Sequence, residues 1–283
     1  LLRDKLGNAD WDAHRGRADS WLVNSATAGL SIAQSLLEDE RGILGKLVAR
    51  MGEPVVRSVA LAATRLLADH FVLGETIDDA IERAHREQLV CSFDMLGEAA
   101  KTSPDAERYF NAYSQAIEKV GSTNSRTEHA ISVKLSALYP RYEPLQQKHA
   151  IPLIAEKLRH LALLAAQHNL QLTVDAEESE RLEMSLHIFE RVARMHELRD
   201  WRGMGLAVQA YQKRALPVLQ WIGELSYDIH RPVKVRLVKG AYWDSEIKRC
   251  QQAGLNDYPV FTRKAFTDTS YLACAHFMLQ SEF

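Results

Sequence analysis

Five polar residues, each close to the end of an apolar stretch, are the side chains of this sequence most suited to chemistry. They are Asp94, Lys134, Asp175, Gln209 and Arg236, and they are separated by 40, 41, 34 and 27 residues. Two acids, two bases and an amide can neutralise one another, bind a charged ligand, or stabilise charge that develops during a reaction. Any one of them could be an incidental polar residue of a core, but the repeated pattern favours a shared site.

The residues around each of these five alternate in the manner of a β-strand. In the stretch VKVRLV, Val235 and Leu237 share one side while Arg236 lies on the other. The same pattern predicts strands over 90–96, 131–138, 170–175, 205–211 and 233–238. Since successive side chains of a strand point to opposite faces, the apolar residues would face helices and the five polar residues would face a common interior.

Helical patterns separate the predicted strands. They cover 77–87, 105–120, 154–168, 181–196 and 213–226, and a last helix, capped by Thr267 or Asp268, runs to about position 279. Strands that alternate with helices of this length predict parallel βα units. The expected fold class is therefore α/β. If these units belong to a (βα)₈ TIM barrel, with five of its strands in this chain, the site would lie at the C-terminal ends of the strands.

The segment before the barrel also has helical periodicity. We interpret residues 1–72 as a small all-α domain that serves as a packing scaffold, and residues 73–283 as the barrel domain, incomplete at its C-terminus. The chain begins with Leu rather than Met, and we expect it to be a piece of a longer protein.

Composition and short motifs argue against several classes of function. The 283 residues have a net charge of −2, which predicts no nucleic-acid partner for this chain. The cysteines Cys91, Cys250 and Cys274 match no metal-ligand spacing and are typical of free thiols in a reducing compartment, so a cytoplasmic location is expected. No metal site is predicted, and the acidic run at 177–180 is interpreted as a solvated loop and helix start.

From the residues alone, two functions stay open. Lys134 could act as a Schiff-base amine in a barrel lyase or aldolase. Alternatively, the chain could be a non-catalytic scaffold of helices and a barrel.

Longer motifs resemble one family, the proline dehydrogenase domain of the bifunctional proline utilization A flavoenzymes. The segments are FDMLGEAA, ISVKLSALYPRYE, TVDAEESERLEMSL, GLAVQAYQKRA, VRLVKGAYWDSEIKR and YPVFTRKAFTDTSYLACA. The resemblance implies an FAD-containing (βα)₈ barrel that oxidises L-proline to Δ1-pyrroline-5-carboxylate. It also implies electron transfer to a membrane quinone, with peripheral association at the inner face of the bacterial membrane.

The resemblance also assigns roles by motif position. Asp175 and Arg236 would be catalytic beside the substrate and flavin N5, and Lys134, Asp94 and Tyr242 would bind substrate. The implied cofactor-binding set is Asp175, Ala176, Gln209, Arg236, Val238, Lys239, Gly240, Ala241, Trp243, Thr262 and Lys264. The family's barrel continues with three more strands that supply a clamp for the proline carboxylate, and we expect these to lie outside this chain.

Overall fold

The computed structural model describes residues 72–123 and 129–280. The helical domain predicted for residues 1–72 lies outside the described residues, apart from its last position. The chain divides into two units, Leu1–Arg83 and Ala84–Phe283. The domain boundary between residues 72 and 73 stays a prediction.

A parallel sheet forms the centre of the second unit. Its strands are β1 (Ser92–Asp94), β2 (Ala130–Val133), β3 (Gln171–Val174), β4 (Met204–Gln209) and β5 (Lys234–Val238). They lie in the order β1-β2-β3-β4-β5, and every neighbouring pair is parallel. The predicted α/β class is confirmed, and the strand order is the one that successive strands of a (βα)₈ barrel follow.

Helices connect the strands. They are α1 (Ile77–Arg86), α2 (Ser103–Ser122), α3 (Gln147–Gln167), α4 (Leu182–Ala193), α5 (Ala215–Asp228), α6 (Trp243–Gln252) and α7 (Lys264–Gln280). Helix α2 begins with a capping box, in which the Thr102 hydroxyl accepts from the Asp105 N–H and the Asp105 carboxylate accepts from the Thr102 N–H. Within the described ranges, no helix is long and apolar enough to cross a membrane.

The core lies between the sheet and helices α2 to α5. One side of the strands is apolar and at most 3% exposed, and it comprises Ile131, Val133, Leu172, Val174, Leu206 and Val208. The helices cover it with Ile117, Leu158, Leu161, Ile188, Phe189, Leu219 and Ile222. Burying one face in this way fixes the register, because a slip of one residue would turn every side chain to the wrong side.

Four differences between the predicted and the observed strand and helix boundaries stand out. The second strand ends at Val133 and a 3₁₀ turn follows at Leu135–Ala137. Helix α3 begins at Gln147, seven residues before the predicted start, and continues through Pro152. That proline has no N–H for the carbonyl of Lys148, but Lys148 is exposed and water can satisfy its carbonyl.

The other two differences lie after β5. Helix α6 was not predicted, and α7 begins at Lys264 rather than at Thr267 or Asp268. Thr267 is buried inside α7 instead of capping it, and the Asp268 carboxylate accepts from Lys239 and Lys264. Helix α6 escapes sequence analysis because it buries only Glu246 and Cys250, so it has no apolar stripe.

Candidate active site

Four of the five predicted polar residues meet at the C-terminal end of the sheet, which we call the mouth. The Lys134 ammonium donates to Asp94 Oδ1 at 2.7 Å and to Asp175 Oδ2 at 2.9 Å. The Arg236 guanidinium donates to Asp175 Oδ1. Asp94 and Lys134 therefore form an ion pair between the ends of neighbouring strands, and the four charges sum to zero.

Two residues that the sequence analysis missed hold this network in place. Ser132 has the same strand phase as Lys134, and its Oγ accepts from Arg236 Nη1 at 2.7 Å. Tyr113 reaches from α2, and its hydroxyl accepts from the backbone N–H of Lys134 at 3.2 Å. Burial raises the pKa of Tyr113 to about 12, so it stays a neutral phenol. The phase of Ser132 was readable from the strand pattern, but a small hydroxyl gave no reason to single it out.

Lys134 is a permanent cation at this position. Burial alone would lower the pKa of its ammonium, but the hydrogen bonds and charges of Asp94 and Asp175 outweigh burial and raise that pKa above its usual value. A raised lysine pKa stabilises the folded state below the unfolded value of about 10.4, and this contribution is lost only as pH rises through the higher folded pKa. Between pH 6 and 9, Lys134 therefore contributes no pH dependence.

Gln209, the fifth predicted residue, belongs to a chain of hydrogen bonds between the loops that follow the strands. We call Ala99, Ser136, Glu177, Gln209 and Ala241 the loop belt. Gln209 Nε2 donates to the Glu177 carbonyl at 2.8 Å, and the Ala241 N–H donates to Gln209 Oε1 at 3.1 Å. The Ser136 N–H donates to Glu177 Oε1 at 3.0 Å, and the Ala99 N–H donates to Ser136 Oγ at 3.0 Å.

Glu177 corrects one interpretation of the sequence. The acidic run at 177–180 was expected to be a solvated loop, yet Glu177 is 7% exposed. Burial raises the pKa of its carboxyl, against the opposing effect of the Ser136 hydrogen bonds. Neighbouring acids in the sequence gave no sign that one of them would turn inward.

The remaining members of the predicted set lie around the mouth. The Tyr242 hydroxyl donates to Glu98 Oε2 at 3.3 Å, and burial, reinforced by the Glu98 charge, raises the pKa of Tyr242. The Val238 carbonyl, at the end of β5, accepts from the Ala210 N–H at 2.8 Å. Ala176 is half-buried beside Asp175.

A groove of about 300 Å³ opens after β5. Its lining contains Tyr211, Lys239, Gly240, Trp243, Phe261, Thr262, Lys264 and Thr267. The segment on its far side is fixed by the Phe261 N–H, which donates to the Tyr211 carbonyl at 2.8 Å, and by Trp243 Nε1, which donates to the Phe261 carbonyl at 2.9 Å. Five residues predicted to bind a cofactor thus share one surface.

Gly240 gives this groove its shape. Its φ is +140°, and a Cβ added there would lie 2.4 Å from Cγ of the buried Tyr211 ring. Glycine therefore allows the backbone after β5 to lie against the tyrosine ring.

Fold and site together define a class of protein. A parallel α/β sheet with a charge-balanced mouth at the carboxyl ends of its strands, next to a groove with cations and an aromatic ring, is the arrangement of an α/β enzyme that binds a small charged ligand.

Comparison with known proteins narrows that class to one family. The family model described as "Proline dehydrogenase" matches residues 77–282, and the chain belongs to this family. Residues 1–71 match a second model, described as "DNA-binding domain of Proline dehydrogenase".

Curated relatives support the assignment. The chain is 44% identical to "Bifunctional protein PutA" of Escherichia coli (strain K12) over an alignment of 291 residues, gaps included. The alignment covers 99% of this chain and 22% of that protein. It is 42% identical to the PutA of Rhizobium meliloti, over 96% of this chain and 23% of that protein. The chain thus spans less than a quarter of the length of these relatives.

Solved structures are similar as well. A crystal structure of a Bradyrhizobium japonicum Proline Utilization A (PutA) mutant is 43% identical, with a TM-score of 0.73, over 98% of this chain and 29% of that one. A structure of PutA "with proline bound in remote sites" is 40% identical, with a TM-score of 0.72, over 98% of this chain and 31% of that one.

The second family model bears on one expectation. Net charge predicted no nucleic-acid partner, and residues 1–71 contain as many basic as acidic residues. The description of the matching model nevertheless names DNA binding. This match counts against the exclusion of a nucleic-acid partner. The exclusion rested on net charge, and an average over many residues does not reveal a basic patch on part of a surface.

Proposed function

We propose that the complete polypeptide containing this chain is an FAD-dependent proline dehydrogenase that oxidises L-proline to Δ1-pyrroline-5-carboxylate. The observation that carries the proposal is the cluster of Asp94, Lys134, Asp175 and Arg236 at the mouth of a chain that belongs to the proline dehydrogenase family. The remainder of a closed (βα)₈ barrel would come from outside this chain. By resemblance, the electrons pass to a membrane quinone, and the protein is cytoplasmic with peripheral attachment to the membrane.

The groove residues fit the cofactor. Lys239 and Lys264 supply positive charge for a pyrophosphate, with the Thr262 hydroxyl beside them. Trp243 is 42% exposed and offers a ring face for an adenine. Gly240 lets backbone approach closely. FAD, when bound, would supply the hydride acceptor.

The residues of the mouth orient substrate and stabilise charge. Hydride transfer from the carbon beside the proline nitrogen needs alignment more than a strong base. Lys134 would attract the proline carboxylate, and Arg236 would stabilise negative charge that develops on reduction. Asp175 binds both cations and keeps them apart at fixed positions, while Tyr242 would line the substrate pocket. Gln209 would contribute by holding the loops around the cofactor.

A yellow preparation of the complete polypeptide, with flavin absorbance and proline-dependent reduction of a dye, tests the proposal. A colourless protein that folds, or one that reduces no dye with proline, would refute it.

The Schiff-base alternative predicts a different result at Lys134. A Schiff-base amine must be neutral to attack a carbonyl, whereas two carboxylates keep this ammonium protonated. We expect borohydride to trap no substrate adduct on Lys134 between pH 6 and 9. Mass spectrometry of the digested protein checks this, and a modified Lys134 peptide would favour the lyase.

Lys134→Ala separates substrate binding from a purely structural ion pair. If the ammonium attracts the proline carboxylate, KM for proline and Ki for a ring carboxylate that lacks the amine both rise, while flavin content stays unchanged. Asp94→Ala should have a milder effect, because Asp94 is half-exposed and Lys134 keeps Asp175 as its partner. Unchanged KM and Ki with a lower melting temperature would leave only the structural role.

Gly240→Ala tests whether the groove binds the cofactor. The added methyl group would displace the Tyr211 ring, and we expect the flavin-to-protein ratio to fall sharply. Gly254→Ala is the matched control, because Gly254 also has a positive φ, of +63°, but nothing lies within 4 Å of its added Cβ. Equal flavin content in the two variants would contradict the assignment of this groove to the cofactor.

A further inference from the structure

Ser179 is a junction between three loops. It is 3% exposed and begins the 3₁₀ turn Ser179–Arg181, four residues after Asp175. Glu246, on α6, is 1% exposed and accepts from Ser179 twice. Its Oε1 accepts from the Ser179 N–H at 2.5 Å, and its Oε2 accepts from the Ser179 hydroxyl at 2.6 Å.

Two arginines complete the junction. Arg249 Nη2 donates to Ser179 Oγ at 3.0 Å and to Glu246 Oε2 at 2.9 Å. Arg214, which precedes α5, donates through Nη2 to the Ser179 carbonyl at 2.8 Å. Every polar atom of Ser179 is thus bound by a residue that follows β4 or β5.

The junction fixes a short loop of the mouth. The Asp175 N–H donates to the Val133 carbonyl at 2.9 Å, so three residues, 176–178, span the gap between two anchored positions. This loop carries Glu177, whose carbonyl and carboxylate both belong to the loop belt. The loop is thus held at its first end by Asp175 and in its middle by Glu177, and the Ser179 anchor fixes its second end.

We propose that Glu246 is a positioning residue, whose carboxylate latches the 176–178 loop to helix α6 and so sets the geometry of Asp175 and Glu177 at the mouth. The expected effect on turnover rests on the proposed function. A buried ion pair is weak evidence for stability, since apolar residues of similar volume often stabilise as well or better. The two hydrogen bonds that Glu246 accepts from Ser179 are directional and can therefore fix the position of the loop. An apolar contact has no such direction and would fix it poorly.

The test uses the complete polypeptide with Glu246→Ala and Glu246→Gln. Glu183→Gln is the acid control, because the Glu183 side chain is 78% exposed and pairs with Nη1 of the junction residue Arg214. This change leaves the Arg214 Nη2 bond to Ser179 and both Glu246 bonds in place. Ile188→Val is the stability control, since it removes a methyl group from a fully buried side chain that makes no hydrogen bond to the junction. Hydrogen exchange of the peptide containing residues 176–182, kcat and KM for proline, and Tm are measured for each.

For Glu246→Ala we expect exchange of the Ser179 amide to rise at least about 10-fold, in line with the loss of its acceptor. A displacement of about 1 Å can cost about 10²-fold in rate, so we expect kcat to fall about 10- to 100-fold. Glu246→Gln keeps an acceptor for the Ser179 N–H and should recover part of both. Glu183→Gln should match the wild type, and Ile188→Val should lower Tm with kcat unchanged.

Two results would overturn the proposal that Glu246 positions the 176–178 loop. One is unchanged exchange in Glu246→Ala or, if that variant does not fold, in Glu246→Gln. The other is a Tm loss like that of Ile188→Val without any change in kcat. If the wild type itself does not oxidise proline, the proposed function fails, and the exchange measurement alone then decides whether the latch exists.

Discussion

Replacing Arg236 with Met is expected to lower the rate of proline-dependent flavin reduction by about 10²–10³-fold, the usual loss for one preorganised donor at developing charge. The fold should survive, because Asp175 keeps Lys134 as a partner and the Arg236 side chain is already 35% exposed. Stopped-flow absorbance of the flavin measures the rate, and thermal unfolding reports the fold.

Lys234→Met is the matched control for this change. Lys234 lies two residues before Arg236 on the same strand and in the same phase, but at the exposed start of β5. It should reduce flavin at the wild-type rate. A normal rate in Arg236→Met would remove Arg236 from the mechanism, and an equal loss in both variants would point to a general effect of lost positive charge.

Asp175→Asn should impair both stability and turnover. The two Asp175 oxygens accept from Lys134 and Arg236, whereas an amide offers one acceptor and turns its NH₂ group toward a cation. Breaking a fully buried pair costs about 3–5 kcal/mol, and exposure of Arg236 reduces this by solvent screening. Urea unfolding measures the free energy of unfolding, and proline turnover should fall with it at temperatures where the variant is folded.

Asp268→Asn offers a comparison of the same chemical kind. Asp268 also binds two cations, Lys239 and Lys264, but at the surface. Its replacement should leave the free energy of unfolding almost unchanged. The Asp175 side chain is only 9% exposed. An equally small loss of unfolding free energy in Asp175→Asn and Asp268→Asn would mean that the mouth is far more hydrated than this exposure indicates.

The mouth was predictable because strand periodicity is a local property. Leu172 and Val174 fix the outward phase of β3, and Asp175 follows as inward without knowledge of its neighbours. Parallel pairing then brings Asp94, Lys134 and Asp175 to one edge. The roles assigned to these residues stay predictions, since they rest on motif resemblance.

The supports of the mouth were not predictable for the opposite reason. Glu177 and Glu246 are buried by contacts with residues 41 and 67 positions away in sequence. Nothing in their local sequence distinguishes them from exposed acids such as Glu180. The start of α7 was misplaced because Thr267 resembles an N-cap residue, while tertiary packing buries it inside the helix.

The long interval between the partners at the mouth has a consequence for synthesis. Arg236 follows Ser132 by 104 residues, and a ribosome that adds about 5–20 residues per second needs about 5–20 s to cover that interval. Until Arg236 emerges, Asp94 and Asp175 share a single cation, and the surplus carboxylate keeps the unfinished sheet edge hydrated. A nascent chain that pauses after its fourth strand would therefore present a hydrated, unpaired sheet edge to chaperones. The charges of the mouth would balance only after the fifth strand supplies Arg236.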